Sequence, residues 1–217
     1  MPPLTRYLAV CALLALASGH PGNAKEPVEQ PDFMACADAQ AHQALRDTQC
    51  AKLAVPLDHD AVETDTIDLF VRKFPAHGAP RGELWLIAGG PGESGASFYP
   101  FVDTLRAAAP GYDLIVPDHR GTGLSTRLCP EEESNGSPGG MALEGAEWGS
   151  CIGAMHANPQ RTHSFSIGNA ARDFGLLMDR LGGDGHRYLY GVSYGTQLVL
   201  RVLTAAPPAH LDGVILD

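Results

Sequence analysis

Basic side chains are few in this sequence. Lysine and arginine number 15 against 25 aspartates and glutamates, giving a formal net charge of −10, and they gather nowhere into a stripe or patch. That excludes a phosphate-binding footprint, so neither nucleic acid nor an anionic membrane surface is expected as a partner. Long apolar runs are missing too. The run near the N-terminus, Tyr7 to Ala17, falls short of the roughly 20 residues a bilayer-spanning helix needs. There is no internal repeat and no CxxC knuckle. His156 and His163 follow Cys151, but without a knuckle such spacing is a poor zinc site. No metal and no cofactor is expected.

What remains is an ordinary globular balance. Hydrophobic residues make up 44% and charged residues 18% of 217 positions, enough for one sizeable core without a second domain. At the N-terminus, Arg6 is the only charged side chain before Lys25, and small residues follow the apolar run. A basic start, a short apolar stretch and a small-residue exit read as a secretory signal peptide over residues 1–24, cleaved after Ala17 or Ala24. The mature chain is then exported, periplasmic or extracellular, and free of the membrane. Cys11 leaves with the signal, and Cys36, Cys50, Cys129 and Cys151 remain. An even number in an oxidising compartment suggests two disulfides. Of the three pairings that four cysteines allow, Cys36–Cys50 and Cys129–Cys151 close the shorter loops and are expected.

Residues 25–50 are polar and irregular and read as an N-terminal extension ahead of a domain over 51–217. Strands are expected at 52–57, 66–74, 83–88, 112–117, 187–190 and 213–216, and helices at 98–109, 167–181 and 197–206. The helix at 167–181 is the clearest, with Ile167, Ala170, Ala171, Phe174, Leu177, Met178 and Leu181 at helical spacing and Ser166 as N-cap. The second strand alternates, with Ile67, Leu69 and Val71 on one face and Asp68, Phe70 and Arg72 on the other. Residues 124–163 lose all periodicity. A loop this long should be functional or pinned, and a Cys129–Cys151 bridge would pin it. Strands alternating with helices imply an α/β fold with a mostly parallel sheet.

Chemistry enters with Gly191-Val192-Ser193-Tyr194-Gly195. This GxSxG sits between an expected strand and an expected helix, the setting that distinguishes a nucleophile elbow from a chance match. The turn is tight enough to strain the serine, and side chains at Gly191 and Gly195 would collide with neighbouring backbone. Ser193 Oγ would stand exposed at the positive end of the following helix. Gly89-Gly90-Pro91-Gly92 follows the third expected strand, where backbone N–H groups can be aimed at a developing alkoxide. The N–H groups of Gly90 and Tyr194 are the expected oxyanion donors, with Gly89 and Gly92 shaping the loop.

The same loop carries a competing signature. Gly90, Gly92 and Gly95 fit GxGxxG, and Asp118 lies about where a ribose-binding acid would stand in a dinucleotide-binding domain. Against that reading, two strands precede the motif, and the serine elbow would be left without a role.

AGGPGESG (Ala88 to Gly95), DHRGTGLS (Asp118 to Ser125) and GVSYGT (Gly191 to Thr196) together resemble the proline iminopeptidase and tripeptidyl aminopeptidase branch of the α/β-hydrolases, from about Cys36 onward. The resemblance implies a serine exopeptidase that releases N-terminal residues from peptides, with Ser193 as nucleophile and Asp118 and Arg120 as braces. Ala88 stands where the iminopeptidases usually carry His, closer to the exported tripeptidyl-type members. It also implies a triad acid and histidine later than the sixth strand, with a helical cap between them. Within the sequence, His210 and Asp217 are the only histidine and strand-end acid after Ser193 that could be considered, and neither matches the family's position. The fold is therefore expected to be an α/β-hydrolase truncated after about the sixth strand, with the last strand a bare apolar edge and the chain by itself inactive. A carboxylesterase or lipase shares the elbow and is the alternative enzyme, and a remnant that only binds is the alternative of another class. The substrate is expected to be a peptide or a small ester.

Overall fold

The structure is a computed structural model and describes residues 32–217; the signal-peptide reading lies outside the described residues. A seven-stranded sheet forms the centre, in the order β1-β2-β3-β5-β4-β6-β7. Its strands are β1 (Met34–Ala35), β2 (Gln49–Pro56), β3 (Thr66–Phe74), β4 (Gly82–Ile87), β5 (Tyr112–Pro117), β6 (His186–Gly191) and β7 (Gly213–Leu216). β1, β2 and β3 run antiparallel, β3 also meets β5 antiparallel, and β5, β4, β6 and β7 are parallel. Six of the seven were expected, and the short β1 adds an edge from what had read as extension.

β4 is buried at every position, as a parallel strand covered on both faces must be. Its side chains alternate between two cores. Trp85 and Ile87 join Ile115, Leu189, Phe174, Met178, Leu198 and Val202 on one face, under α4 (Ile167–Leu181) and α5 (Tyr194–Ala205). Leu84 and Leu86 join Leu114, Val116, Phe98 and Val102 on the other, under α1 (Val102–Ala108). Helices on both faces of a mostly parallel sheet make a three-layer α/β fold. α4 begins where expected, with the Ser166 side chain accepting the Asn169 N–H at 3.2 Å.

Several expectations give way. The helix expected over 98–109 starts as a 3-10 turn over Gly95–Phe101, because Pro100 has no N–H to continue an α-helical ladder. β3 does not stay two-faced: Phe70 and Arg72 are buried as well as Leu69 and Val71, since loops cover its outer face. Residues 124–163 are not structureless. They carry α2 (Glu147–Ala157) and α3 (Pro159–Ser164). The bridges are Cys36–Cys50 and Cys129–Cys151, the pairs that close the shorter loops. Among the described residues no helix is long and apolar enough to cross a membrane.

Candidate functional site

The parallel strands all end on the same edge, and the residues singled out by their motifs collect there. β6 runs into Gly191, and α5 begins at Tyr194, leaving Val192 and Ser193 as the whole connection. Ser193 has φ 53° and ψ −117°, a conformation that costs a residue with a Cβ about 1–3 kcal/mol and survives only where the surroundings enforce it. Those surroundings are steric. A Cβ on Gly191 would lie 2.5 Å from Gly195 O, and one on Gly195 would lie 2.5 Å from Ile87 O and 2.9 Å from Ala88 O. Both glycines are therefore obligatory for the bend. Hydrogen bonds complete it: Ser193 N–H donates to Asp217 O at 2.8 Å, and Val192 N–H to Ile87 O at 3.3 Å. The Ser193 side chain is left exposed.

The glycine loop after β4 packs directly on this bend. A Cβ on Gly89 would be 3.3 Å from Val192 O and 3.4 Å from Ser193 Cβ. Gly90 has φ +106°, and a Cβ there would sit 2.7 Å from Gly92 N and 2.8 Å from Glu93 N. The main chain thus folds back on itself in a concave arc that only glycine permits. Tyr194 opens α5, so its N–H has no acceptor within the helix, and the helix end adds positive potential. An oxygen carrying developing charge beside Ser193 would find these amides close by.

The structure also settles what Asp118 does. It is 3% exposed, with one carboxylate oxygen accepting Gly95 N–H at 2.7 Å and the other Leu124 N–H at 2.8 Å. Burial raises its pKa from the ordinary aspartate value, against the pull of those two N–H groups. Its oxygens are spent inside the protein, so it does not face a ribose, and the dinucleotide-binding reading is withdrawn. Arg120 is a brace of the same kind. It grips Asp173 through Nε at 2.6 Å and Nη2 at 2.7 Å, and donates to Leu57 O, Ser164 O and Pro56 O. His59 meets the same Asp173 at 2.7 Å.

Two residues near the bend escaped sequence reasoning. His119, in the loop after β5, is half-buried with its ring 6.3 Å from that of Tyr194. Its Nδ1 contacts Arg120 O at 3.0 Å, and its buried Nε2 has no partner among the described residues. Burial lowers its pKa, opposed by the Arg120 carbonyl and the Asp173 charge. Glu93, the variable letter in GGPGES, brings a carboxylate oxygen within 3.4 Å of the point where a Gly89 Cβ would be. Only the motif's position could have hinted at either.

His59 is paired with Asp173, and His186 and His210 both face Asp212. The Asp217 carboxylate accepts from Tyr190 Oη at 2.6 Å, and that hydroxyl is pushed up to about 12 by burial and by the aspartate.

Residues 84–217 match the family described as having the alpha/beta hydrolase fold. The serine protease Hip1 of Mycobacterium tuberculosis is 34% identical over 167 residues, covering 69% of this chain and 32% of that protein. Carboxylesterase B of the same organism is 32% identical over 128 residues, covering 52% and 24%. The proline iminopeptidase-related protein TTHA1809 of Thermus thermophilus superposes with a TM-score of 0.46 at 22% identity, over 76% of this chain and 43% of its own. The chain thus spans about a third or less of the length of these curated relatives. It belongs to the α/β-hydrolase family.

Proposed function

We propose that this protein is an exported serine hydrolase that acts on peptides, releasing N-terminal residues through an acyl-enzyme on Ser193. The observation that carries the reading is the Ser193 backbone, held at φ 53° between β6 and α5 and packed against Gly89. In this reading Ser193 Oγ attacks the scissile carbonyl, and the N–H groups of Gly90 and Tyr194 stabilise the alkoxide. Such donors are worth about 10²–10³ in rate each. The rings of His59, His186 and His210 face Asp173 and Asp212, so none of these three is the histidine that accepts the serine proton. Two disulfides support an oxidising, extracytoplasmic location.

The resemblance to a serine protease over 69% of the chain supports the peptidase. The resemblance to a carboxylesterase keeps an ester-cleaving enzyme as the second reading. A fluorophosphonate probe tests the shared step: full-length protein should be labelled, and Ser193→Ala should lose all labelling. Labelling that persists in the alanine variant would remove Ser193 from the mechanism. Aminoacyl arylamides against acyl esters, each as kcat/KM, then separate peptidase from esterase.

A further inference from the structure

The glycines make the bend at Ser193 tight, but they do not aim it. Two further contacts do, and both start from Tyr190, the residue of β6 just before Gly191. Its hydroxyl donates to the Asp217 carboxylate at 2.6 Å, the length of a charge-assisted bond. The raised pKa of that hydroxyl keeps its proton in place at neutral pH. Asp217 stands one residue past β7, where the ladder with β6 has ended. There its N–H donates to Gly191 O at 3.0 Å, and its carbonyl accepts Ser193 N–H at 2.8 Å. Asp217 thus holds the chain before, at and after the start of the turn. The Tyr190 ring reaches the other half of the site. It lies edge-on to Phe98, with centroids 6.0 Å apart and 68° between the planes, a favourable arrangement for two aromatic rings. Phe98 is buried and belongs to the 3-10 turn Gly95–Phe101 that continues the glycine loop.

Resting on the serine-hydrolase reading, we infer that Tyr190, tethered to Asp217, is a positioning residue that sets Ser193 against the amides of the glycine loop. It acts through Asp217 on one side and Phe98 on the other, and not on the substrate. The physical reason is the strain at Ser193. A residue with a Cβ at φ 53° relaxes unless its neighbours prevent it. The Asp217 carbonyl prevents it at the Ser193 N–H, but that carbonyl is only as fixed as Asp217 itself. Without the tether, Asp217 keeps a single ladder-end bond to Gly191, and Ser193 Oγ is free to drift from the loop. A drift of about 1 Å can cost up to about 10²-fold in rate. A bond partly open to water should matter less, and its loss should slow acylation roughly fivefold.

The test uses the full-length protein and the second-order rate constant of fluorophosphonate labelling, which follows the attack of Ser193 itself. Tyr190→Phe keeps the ring on Phe98 and removes the tether, and should label roughly fivefold more slowly. Asp217→Ala keeps the backbone contacts and removes the acceptor, and should be slowed as much. Asp217→Asn still offers a carbonyl oxygen to the hydroxyl and should recover most of that loss. Tyr190→Phe combined with Asp217→Ala should be no slower than either alone, because one contact is then removed twice. Tyr190→Leu, which also gives up Phe98, should be the slowest. A purely structural role would lower the thermal midpoint and leave the rate constant unchanged, since unfolded molecules reduce the amplitude of labelling rather than its rate. That outcome would overturn the inference, as would additive losses in the double variant or an Asp217→Asn as slow as Asp217→Ala. If wild type is labelled at Ser193 in those cases, the serine-hydrolase reading stands without it. Absence of labelling in wild type would overturn the two together.

Discussion

Two connections leave the parallel strands that flank β4, at the same edge of the sheet, and they are held in opposite ways. The link from β6 to α5 is two residues long and is fixed by exclusion: carbonyls of residues 87, 88 and 195 occupy the space where side chains at Gly191 and Gly195 would go. The link from β5 to α4 runs from Asp118 to Ser166 and is fixed by charge and hydrogen bonds. Asp118, Arg120, Arg127 and Glu147 each bind backbone groups, and the Cys129–Cys151 bridge closes the rest. The first is rigid because little else fits. The second is rigid because polar groups, once buried, cannot be left without partners.

The contrast is sharpest where it would cost most. Arg120 and Asp173 are each 1% exposed at the side chain, so removing one strands the other in the interior. Asp173→Ala should destabilise the fold by about 3–5 kcal/mol, read as a fall in the urea midpoint. Since the β6–α5 bend uses none of these charges, fluorophosphonate labelling of the variant under native conditions should persist. Loss of labelling at full foldedness would mean that the two connections are not independent.

The converse change adds volume and removes no charge. Gly195→Ala places a methyl 2.5 Å from Ile87 O, an overpacking that typically costs about 1–3 kcal/mol. The stability loss should be smaller than for Asp173→Ala, while labelling of Ser193 should fall at least about tenfold, because the bend must open to admit the methyl. A variant that labels like wild type would show that the strain at Ser193 is not needed to present its hydroxyl.

The same contrast explains what could be read from the sequence. The bend was legible because its rule is local: two glycines flanking a serine at a strand-to-helix junction leave one conformation. β4, β5 and α4 were legible because short unbroken apolar runs mark strands covered on both faces and the helical spacing of α4 marks its buried side. α2 was not. Its only buried residues are Glu147 and Cys151, while Trp148 and Ile152 face outwards. It is held by a disulfide and by Glu147 accepting the Gly139 and Glu144 N–H groups, none of which leaves a periodic trace. α3 did carry a signal that went unused: Asn158 caps Arg161 N–H at 3.0 Å, with Pro159 opening the helix. Alternation puts Arg72 on the face opposite Leu69 but says nothing of Asp38, Thr48 and Tyr99, which come from distant segments and surround its guanidinium. Long-range polar contacts of this kind have no pattern in one sequence.

His119 joins the two connections, since it belongs to the loop after β5 and its ring lies tilted against that of Tyr194, the first residue of α5. Burial holds its pKa below the ordinary histidine value, which is about 6.5 in an unfolded chain. As pH falls, the unfolded chain therefore takes up this proton before the folded one does. Its contribution to stability is complete above the unfolded value and is lost as pH drops from there through the folded value. Replacing it removes one proton-binding site from the unfolded state and the difference with it. His119→Gln should flatten the decline in thermal midpoint between about pH 7 and pH 5 relative to wild type, the smallest effect of this set and a shallow slope rather than a transition. A steeper decline in the variant would mean that the folded protein binds the proton more tightly than the unfolded chain. The buried Nε2 would then have found an acceptor, and the ring would tie the two connections by a hydrogen bond rather than by packing.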